Sequence, residues 1–222
     1  MSRTLLKNKL TKIYKRLFKF YGPQRWWPAD TPFEVMVGAI LTQNTSWNNV
    51  EKAIISLKKA NLLKSASMMA KADTARLSRL IRQSGFYNLK AERLKNLLTF
   101  LSDKYGFNLN KISNIRTDDL RAQLLGVNGV GPETCDSILL YAFNRPVFVI
   151  DAYTKRIFSR HKILPRDCSY DQAQNLFMRN LSPDHRLYNE FHALIVRLAK
   201  DFCKIRPDCV KCPLYEKKLA CK

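Results

Sequence analysis

Three stretches of the sequence hold groups that could do chemistry. Cys203, Cys209, Cys212 and Cys221 follow a C-x5-C-x2-C-x8-C pattern. Four thiolates this close in sequence can close around one metal centre, and the C-x2-C step lets two sulfurs reach the same centre; the pattern is strong for metal and leaves its identity open. Val127-Asn128-Gly129-Val130-Gly131, followed by Pro132, is a glycine turn at the start of a helix. Two glycines flanking a valine allow positive φ and expose successive amide N–H groups, where a phosphate can be held. Asp151 comes directly after the apolar run Pro146 to Ile150. A carboxylate there can cap the next helix, and it can equally stabilise developing positive charge or activate water.

Helices must position these groups. Leu6, Leu10, Ile13 and Leu17 form one apolar stripe, with Lys12, Lys15 and Lys19 out of phase on the other side. Trp26 and Trp27, bracketed by Pro23 and Pro28, cannot share one helix stripe and are expected on a loop. Phe33 to Thr42 reads as a short, almost wholly buried helix, and Trp47, Val50, Ile54 and Leu57 begin an amphipathic one. The polar cluster between them, Gln43-Asn44-Thr45-Ser46, suits a groove, or a cap in which Thr45 or Ser46 accepts from the next helix's first amides. Further inner faces are Leu77 with Ile81 and Leu94, Leu97, Leu98 and Leu101, separated by the turn Gly85-Phe86-Tyr87-Asn88. Thr117 is expected to cap the helix leading to Leu124, and helices are expected over 152–160, 170–180 and 186–200. The one β-like run, 146–150, has no partner strand, so the fold class is all-α.

The charge balance bounds the partners. Lys and Arg number 39 against 18 Asp and Glu, a net +21 in 222 residues, which points to a polyanion, and to nucleic acid ahead of membrane. No apolar run approaches the length of a spanning helix, and the N-terminal leucines are interrupted by lysines, so a cytoplasmic chain is expected. Four of the six cysteines fall at the C-terminal end, which suits a metal site in a reducing compartment better than a disulfide framework. Cys135 and Cys168 read as small hydrophobes. His161, His185 and His192 have no mutual metal-ligand spacing and are assigned no chemistry.

Helix, Gly129-Val130-Gly131 hairpin, second helix, then an apolar run ending in Asp151 resembles the helix-hairpin-helix DNA glycosylases, the superfamily that includes endonuclease III. The resemblance implies a two-lobed fold with a C-terminal metal-cluster loop. Residues 24–145 would form a middle lobe carrying the helix-hairpin-helix at about 117–143. Residues 1–23 with 146–222 would form the second lobe, with the cluster loop at 203–221. DNA would lie in the cleft between. It further implies catalysis by Asp151, backbone contacts from Val127, Gly129, Val130 and Gly131, and duplex contacts from Gln43 and Asn44, Gln43 filling the gap left by a rotated-out nucleotide. The cysteine loop resembles that family's [4Fe-4S] loop, usually C-x6-C-x2-C-x5-C; here the first interval is one residue shorter and the last three longer, which keeps a structural Zn2+ as the alternative.

Within the superfamily, lyases carry a lysine two residues beyond the second hairpin glycine. Here Pro132 and then Glu133 stand there, and Glu133 cannot form an imine, so hydrolysis without strand cleavage is expected. The mismatch-directed adenine enzymes carry a glutamate where this chain has Ala39. Trp26-Trp27-Pro28, Leu41-Thr42-Gln43-Asn44-Thr45, Gly85 to Ala91, Val149 to Tyr153 and Phe191-His192 are similar to the 3-methyladenine branch, spread over most of the chain. That similarity implies a base pocket of Trp26, Trp27, Pro28, Trp47, Glu133 and Lys200. Lys200 can equally be a surface residue that stabilises a helix C-terminus. The expectation is a monomeric, monofunctional glycosylase for N-alkylated purines such as 3-methyladenine in double-stranded DNA. The alternatives are an endonuclease III-like enzyme for oxidised or deaminated bases and a non-enzymatic DNA-binding module.

Overall fold

The computed structural model describes residues 3–215. Every regular element among them is helical, as the absence of a second β-like run requires. The chain divides into two compact units, one from residues 1–28 and 146–222, of which 3–28 and 146–215 are described, and one from residues 29–145. Trp26, Trp27 and Pro28 belong to the first unit, a correction to the boundary expected at residue 24. The reason is local: the Gln24 amide donates to Glu190 Oε1 at 2.8 Å, tying this loop to a helix of the first unit.

That unit contains α1 (Arg3–Tyr21), α9 (Ala152–Arg160), α10 (Tyr170–Asn180) and α11 (His185–Asp201). The lysine-faced helix α1 buries Leu10, Ile13 and Leu17 and packs on α10 and α11. At the centre Phe148 stacks on Phe177 with ring centroids 4.3 Å apart and meets Tyr188 and Phe191 edge-on. Such aromatic pairs add about 0.5–1.5 kcal/mol each beyond their buried area. They lock the extended run 146–150 from one side. Its backbone finds partners without a sheet: Gln174 Nε2 donates to the Phe148 carbonyl at 2.8 Å, and the Ile150 amide donates to the Tyr170 hydroxyl at 3.4 Å. Asp151 is thereby delivered to a fixed place at the head of α9.

The unit of residues 29–145 contains α2 (Pro32–Leu41), α3 (Trp47–Lys59), α4 (Ala66–Ala70), α5 (Thr74–Leu80), α6 (Tyr87–Tyr105), α7 (Thr117–Leu125) and α8 (Pro132–Ser137). Helix α2 starts on Pro32, is capped by Thr31, and is buried from Phe33 to Leu41. Helix α8 continues into one wider turn, Ile138–Ala142, with π-type bonding. Helix α7 corrects one expectation: its N-cap is Arg116, with no side-chain cap bond, and Thr117 is already helical. Asp118 and Asp119 in the first turn supply the negative charge that a helix N-terminus favours.

The two helices around the hairpin are joined by one ion pair. Arg121 Nε donates to Asp136 Oδ1 at 2.8 Å and Arg121 Nη2 to Asp136 Oδ2 at 3.2 Å, and the Asp136 side chain is fully buried. Removing one partner of such a pair strands a buried charge, at a cost of about 3–5 kcal/mol. Between them, Cys135 is packed away from solvent, and burial pushes its thiol up to about 12, so it is an inert core residue. Among the described residues no helix is long and apolar enough to cross a membrane.

Candidate active site and nucleic-acid interface

Asp151 stands at the N-cap of α9, where Oδ1 accepts from the Thr154 amide at 2.6 Å. The cap spends one oxygen only. Oδ2 lies 3.6 Å from His192 Nε2, and both side chains are nearly enclosed, 13% and 8% exposed. Burial by itself raises this carboxyl, but the neighbouring His192 and the hydrogen bond from the Thr154 amide bring it net below the ordinary carboxylate value. The group therefore stays ionised in water-poor surroundings. Because its folded value lies below its unfolded one, it contributes stability that is complete above the unfolded value and is lost as pH falls through the folded one.

His192 carries no assignment in the sequence reading, and the structure corrects that. It sits on the buried stripe of α11 with Tyr188, Phe191, Ile195 and Ala199. The available signal is a polar residue within an otherwise apolar stripe, which an ordinary core histidine gives as well. Trp26 and Trp27 lie together on a loop, half-buried, with ring centroids 5.4 Å apart, and Pro28 is exposed beside them. Lys200 is exposed in the last turn of α11.

In the other unit the hairpin is more economical with its donors than its glycines suggest. Gly129 has φ +92, but Gly131, at φ −87, is an ordinary N-cap residue that does not need glycine's freedom. The Val127 and Val130 side chains are buried, and their amides are used within the turn, donating to the Leu124 carbonyl at 3.1 Å and the Val127 carbonyl at 3.0 Å. A phosphate would be met by the amides of Asn128, Gly129 and Gly131, at the positive end of α8. Glu133 is exposed in the first turn of that helix, where its charge is favourable.

Gln43, expected to enter the duplex, is turned inward. Its Nε2 donates to the Gly129 carbonyl and to Thr134 Oγ1, each at 2.9 Å, and its Oε1 accepts from Arg93. A side chain with both ends of its amide engaged is a strut for the hairpin. Its neighbour Asn44 is the exposed residue, held at φ +51. The cap alternative at this turn is also corrected: Ser46 is the N-cap of α3 with no side-chain cap bond, and Thr45 Oγ1 accepts from the Asn49 side chain at 3.3 Å. Trp47 begins α3, half-buried. Phe86, to which the sequence reading gave no role, is 67% exposed at φ +46 just before α6. Its turn is legible in Gly85-Phe86; its exposure is not.

Cys203, Cys209 and Cys212 are free thiols lining one recess with His161, Phe202 and Pro207, while Cys221 lies outside the described residues. Three arginines hold the described part of this loop. Arg156 Nε donates to the Cys203 carbonyl at 2.9 Å, Arg16 Nε to the Pro213 carbonyl at 3.1 Å, and Arg160 to the Lys204 and Ile205 carbonyls and to Cys203 Sγ at 3.3 Å. Soft donors with a guanidinium N–H aimed at sulfur fit an anionic thiolate centre. Among the described residues, no three His, Cys, Asp or Glu side chains are gathered closely enough to hold a metal ion.

The family described as HhH-GPD superfamily base excision DNA repair protein matches residues 37–183. The chain is 51% identical over 207 residues to MJ1434 of Methanocaldococcus jannaschii, whose name describes a candidate DNA repair glycosylase, covering 92% of this chain and 93% of that one. It is 30% identical over 182 residues to an endonuclease III of Thermotoga maritima, covering 82% and 79%. Among solved structures, the Helicobacter pylori 3-methyladenine DNA glycosylase bound to 1,N6-ethenoadenine superposes with TM-score 0.72 at 28% identity, over 90% of this chain and 98% of that one. A trapped endonuclease III–DNA covalent intermediate superposes with TM-score 0.80 at 21% identity, over 94% and 93%, a likeness of fold. The chain belongs to the HhH-GPD superfamily of base excision DNA repair proteins.

Proposed function

We propose that this protein is a monofunctional DNA N-glycosylase that hydrolyses the glycosidic bond of N-alkylated purines, 3-methyladenine among them, in double-stranded DNA. The observation that carries the reading is Asp151, a nearly enclosed carboxylate kept ionised by a helix cap and a histidine. Such a group does what an oxocarbenium-like transition state requires. As the bond between C1′ and the base breaks, its electron pair leaves with the base and positive charge grows on the sugar, where a fixed anion stabilises it. Water then adds at C1′, and the carboxylate accepts its proton. The alkylated purine is itself cationic and a good leaving group, so the reaction can proceed without a general acid.

The tryptophans suit that substrate. Stacking an electron-poor, cationic base on Trp26, Trp27 or Trp47 gains cation–π attraction, on the order of 2 kcal/mol when desolvated. Glu133, exposed on its own unit, adds a negative charge that a cationic base would reward and a neutral one would not. Lys200 is the weakest member of the set, because a free cation opposes a cationic base. On the DNA side, the amides of the hairpin meet phosphate. Asn44 and Phe86 are the exposed polar and apolar tips that contact the opened duplex, Phe86 as a wedge between base pairs. Extrusion of the base precedes all of this.

The resemblance to the Helicobacter pylori enzyme supports the alkylpurine reading, and the resemblance to the Thermotoga enzyme supports the rival one for oxidised bases. Glu133 in place of an imine-forming lysine favours the first. For the loop, we propose that Cys203, Cys209, Cys212 and Cys221 hold a [4Fe-4S] cluster, with structural Zn2+ as the alternative. Such a centre would tie the loop to the unit's core without entering the chemistry at Asp151.

Three measurements bear on these statements. With duplexes carrying alkylated, oxidised or deaminated bases, Asp151→Asn should cut release of the alkylated purine at least about 100-fold with duplex affinity unchanged. Base release that survives the substitution contradicts the assignment, and a native protein that releases no base from any duplex favours the binding-module reading. Borohydride added during turnover should leave no protein–DNA adduct; an adduct would show an amine nucleophile and a lyase. Analysis of the purified protein should find iron with acid-labile sulfide, whereas stoichiometric zinc overturns the cluster assignment.

A further inference from the structure

Helix α6 carries three polar side chains at a spacing of three, Lys90, Arg93 and Asn96, on a helix otherwise packed by Leu94, Leu97, Leu98 and Leu101. Together they reach three turns of their own unit. Lys90, 1% exposed, donates to the Leu41 carbonyl at 2.8 Å, where α2 ends, and to the Ser84 carbonyl at 2.6 Å, in the turn before Phe86. Arg93 donates to Gln43 Oε1, and its aliphatic stem fills the space beside Gly129: a Cβ added there would stand 2.2 Å from Arg93 Cγ. Asn96 Nδ2 donates to the Asn128 carbonyl at 3.2 Å.

The cost of this arrangement sets it apart from ordinary core packing. A buried ammonium whose acceptors are main-chain carbonyls is expensive, and a methionine would fill the same volume at lower cost. Burial, with the nearby Arg93 charge, lowers the Lys90 ammonium to about 8, so it is mostly charged at neutral pH. What the cost secures is geometry. The turn bearing Asn44, the turn bearing Phe86 and the glycine hairpin are all hung from one rigid helix.

We propose that Lys90, Arg93 and Asn96 are positioning residues that preset these three turns as a single duplex-gripping surface, sparing the protein the ordering of separate loops when it meets a lesion. The inference rests on the glycosylase reading above. Preorganisation of this kind acts on recognition of distorted DNA, because a surface of fixed shape fits an opened duplex better than an intact one. Attraction to intact duplex depends on total charge instead.

The test compares dissociation constants at pH 7 for a duplex holding a non-cleavable abasic-site analogue and for the same duplex undamaged, with thermal melting of each variant alongside. Arg93→Met and Gln43→Ala should each weaken lesion-analogue binding about tenfold. Binding to the undamaged duplex should fall by no more than about threefold, as expected for one lost charge. The double variant should be no worse than Gln43→Ala alone, because the contact that Arg93→Met removes is already lost there. Arg93→Lys, which keeps the charge, should still lose most of the lesion preference. Should Arg93→Met fail to fold, Asn96→Ala tests the same claim with a half-buried residue, and a loss confined to the lesion duplex supports it. Equal losses on both duplexes, additive effects of the two substitutions, or full recovery by Arg93→Lys would each overturn the positioning role. A native protein that does not distinguish the two duplexes instead overturns the glycosylase reading itself.

Discussion

An ionised carboxylate removed from water must be repaid by charge or hydrogen bonds nearby, and the unit formed by the two chain ends is arranged around meeting that condition at Asp151. The Thr154 amide takes one oxygen and His192 stands beside the other. Both partners depend on distant parts of the sequence. The cap exists because the run 146–150 ends where α9 begins, and that run is held by Phe177, Gln174 and Tyr170 from α10. The histidine is in place because α11 buries its stripe against α9 and α1. Loosening any of these contacts would act on the charge of one side chain.

The second unit solves a different problem. Turns that must meet a phosphate backbone have to expose main-chain donors without losing their shape. Here the shape is kept by side chains from beneath: Gln43 on the Gly129 carbonyl, Asn96 on the Asn128 carbonyl, Lys90 on the ends of two neighbouring turns, and the buried Arg121–Asp136 pair across α7 and α8. Glycine is required at 129, where φ is positive and the Arg93 stem leaves no room for a Cβ. It is not required by backbone geometry at 131.

Much of this was legible in the sequence because helical periodicity and end signals are local. The leucine stripe of α1, the buried helix α2 opening at Pro32, the start of α8 at Pro132 and the cap at Asp151 all follow from residue type and spacing within a turn or two. What stayed hidden depends on where side chains go in three dimensions. His192 and a structural core histidine read alike on an apolar stripe. Gln43 and Asn44 are adjacent amides, and only the fold shows that the first is consumed by the hairpin while the second, at positive φ, is exposed. The failed cap at Thr117 and the wider turn after α8 have no sequence signature of their own.

Asp151 is an anion because His192 and the helix cap make it one. A carbon-detected NMR titration of the Asp151 side-chain carboxyl, in the native protein and in His192→Gln, tests it directly. The native midpoint should lie below the ordinary aspartate value of about 3.9 and move upward when His192 is replaced. A midpoint at or above that value, or one that His192→Gln leaves in place, would contradict it.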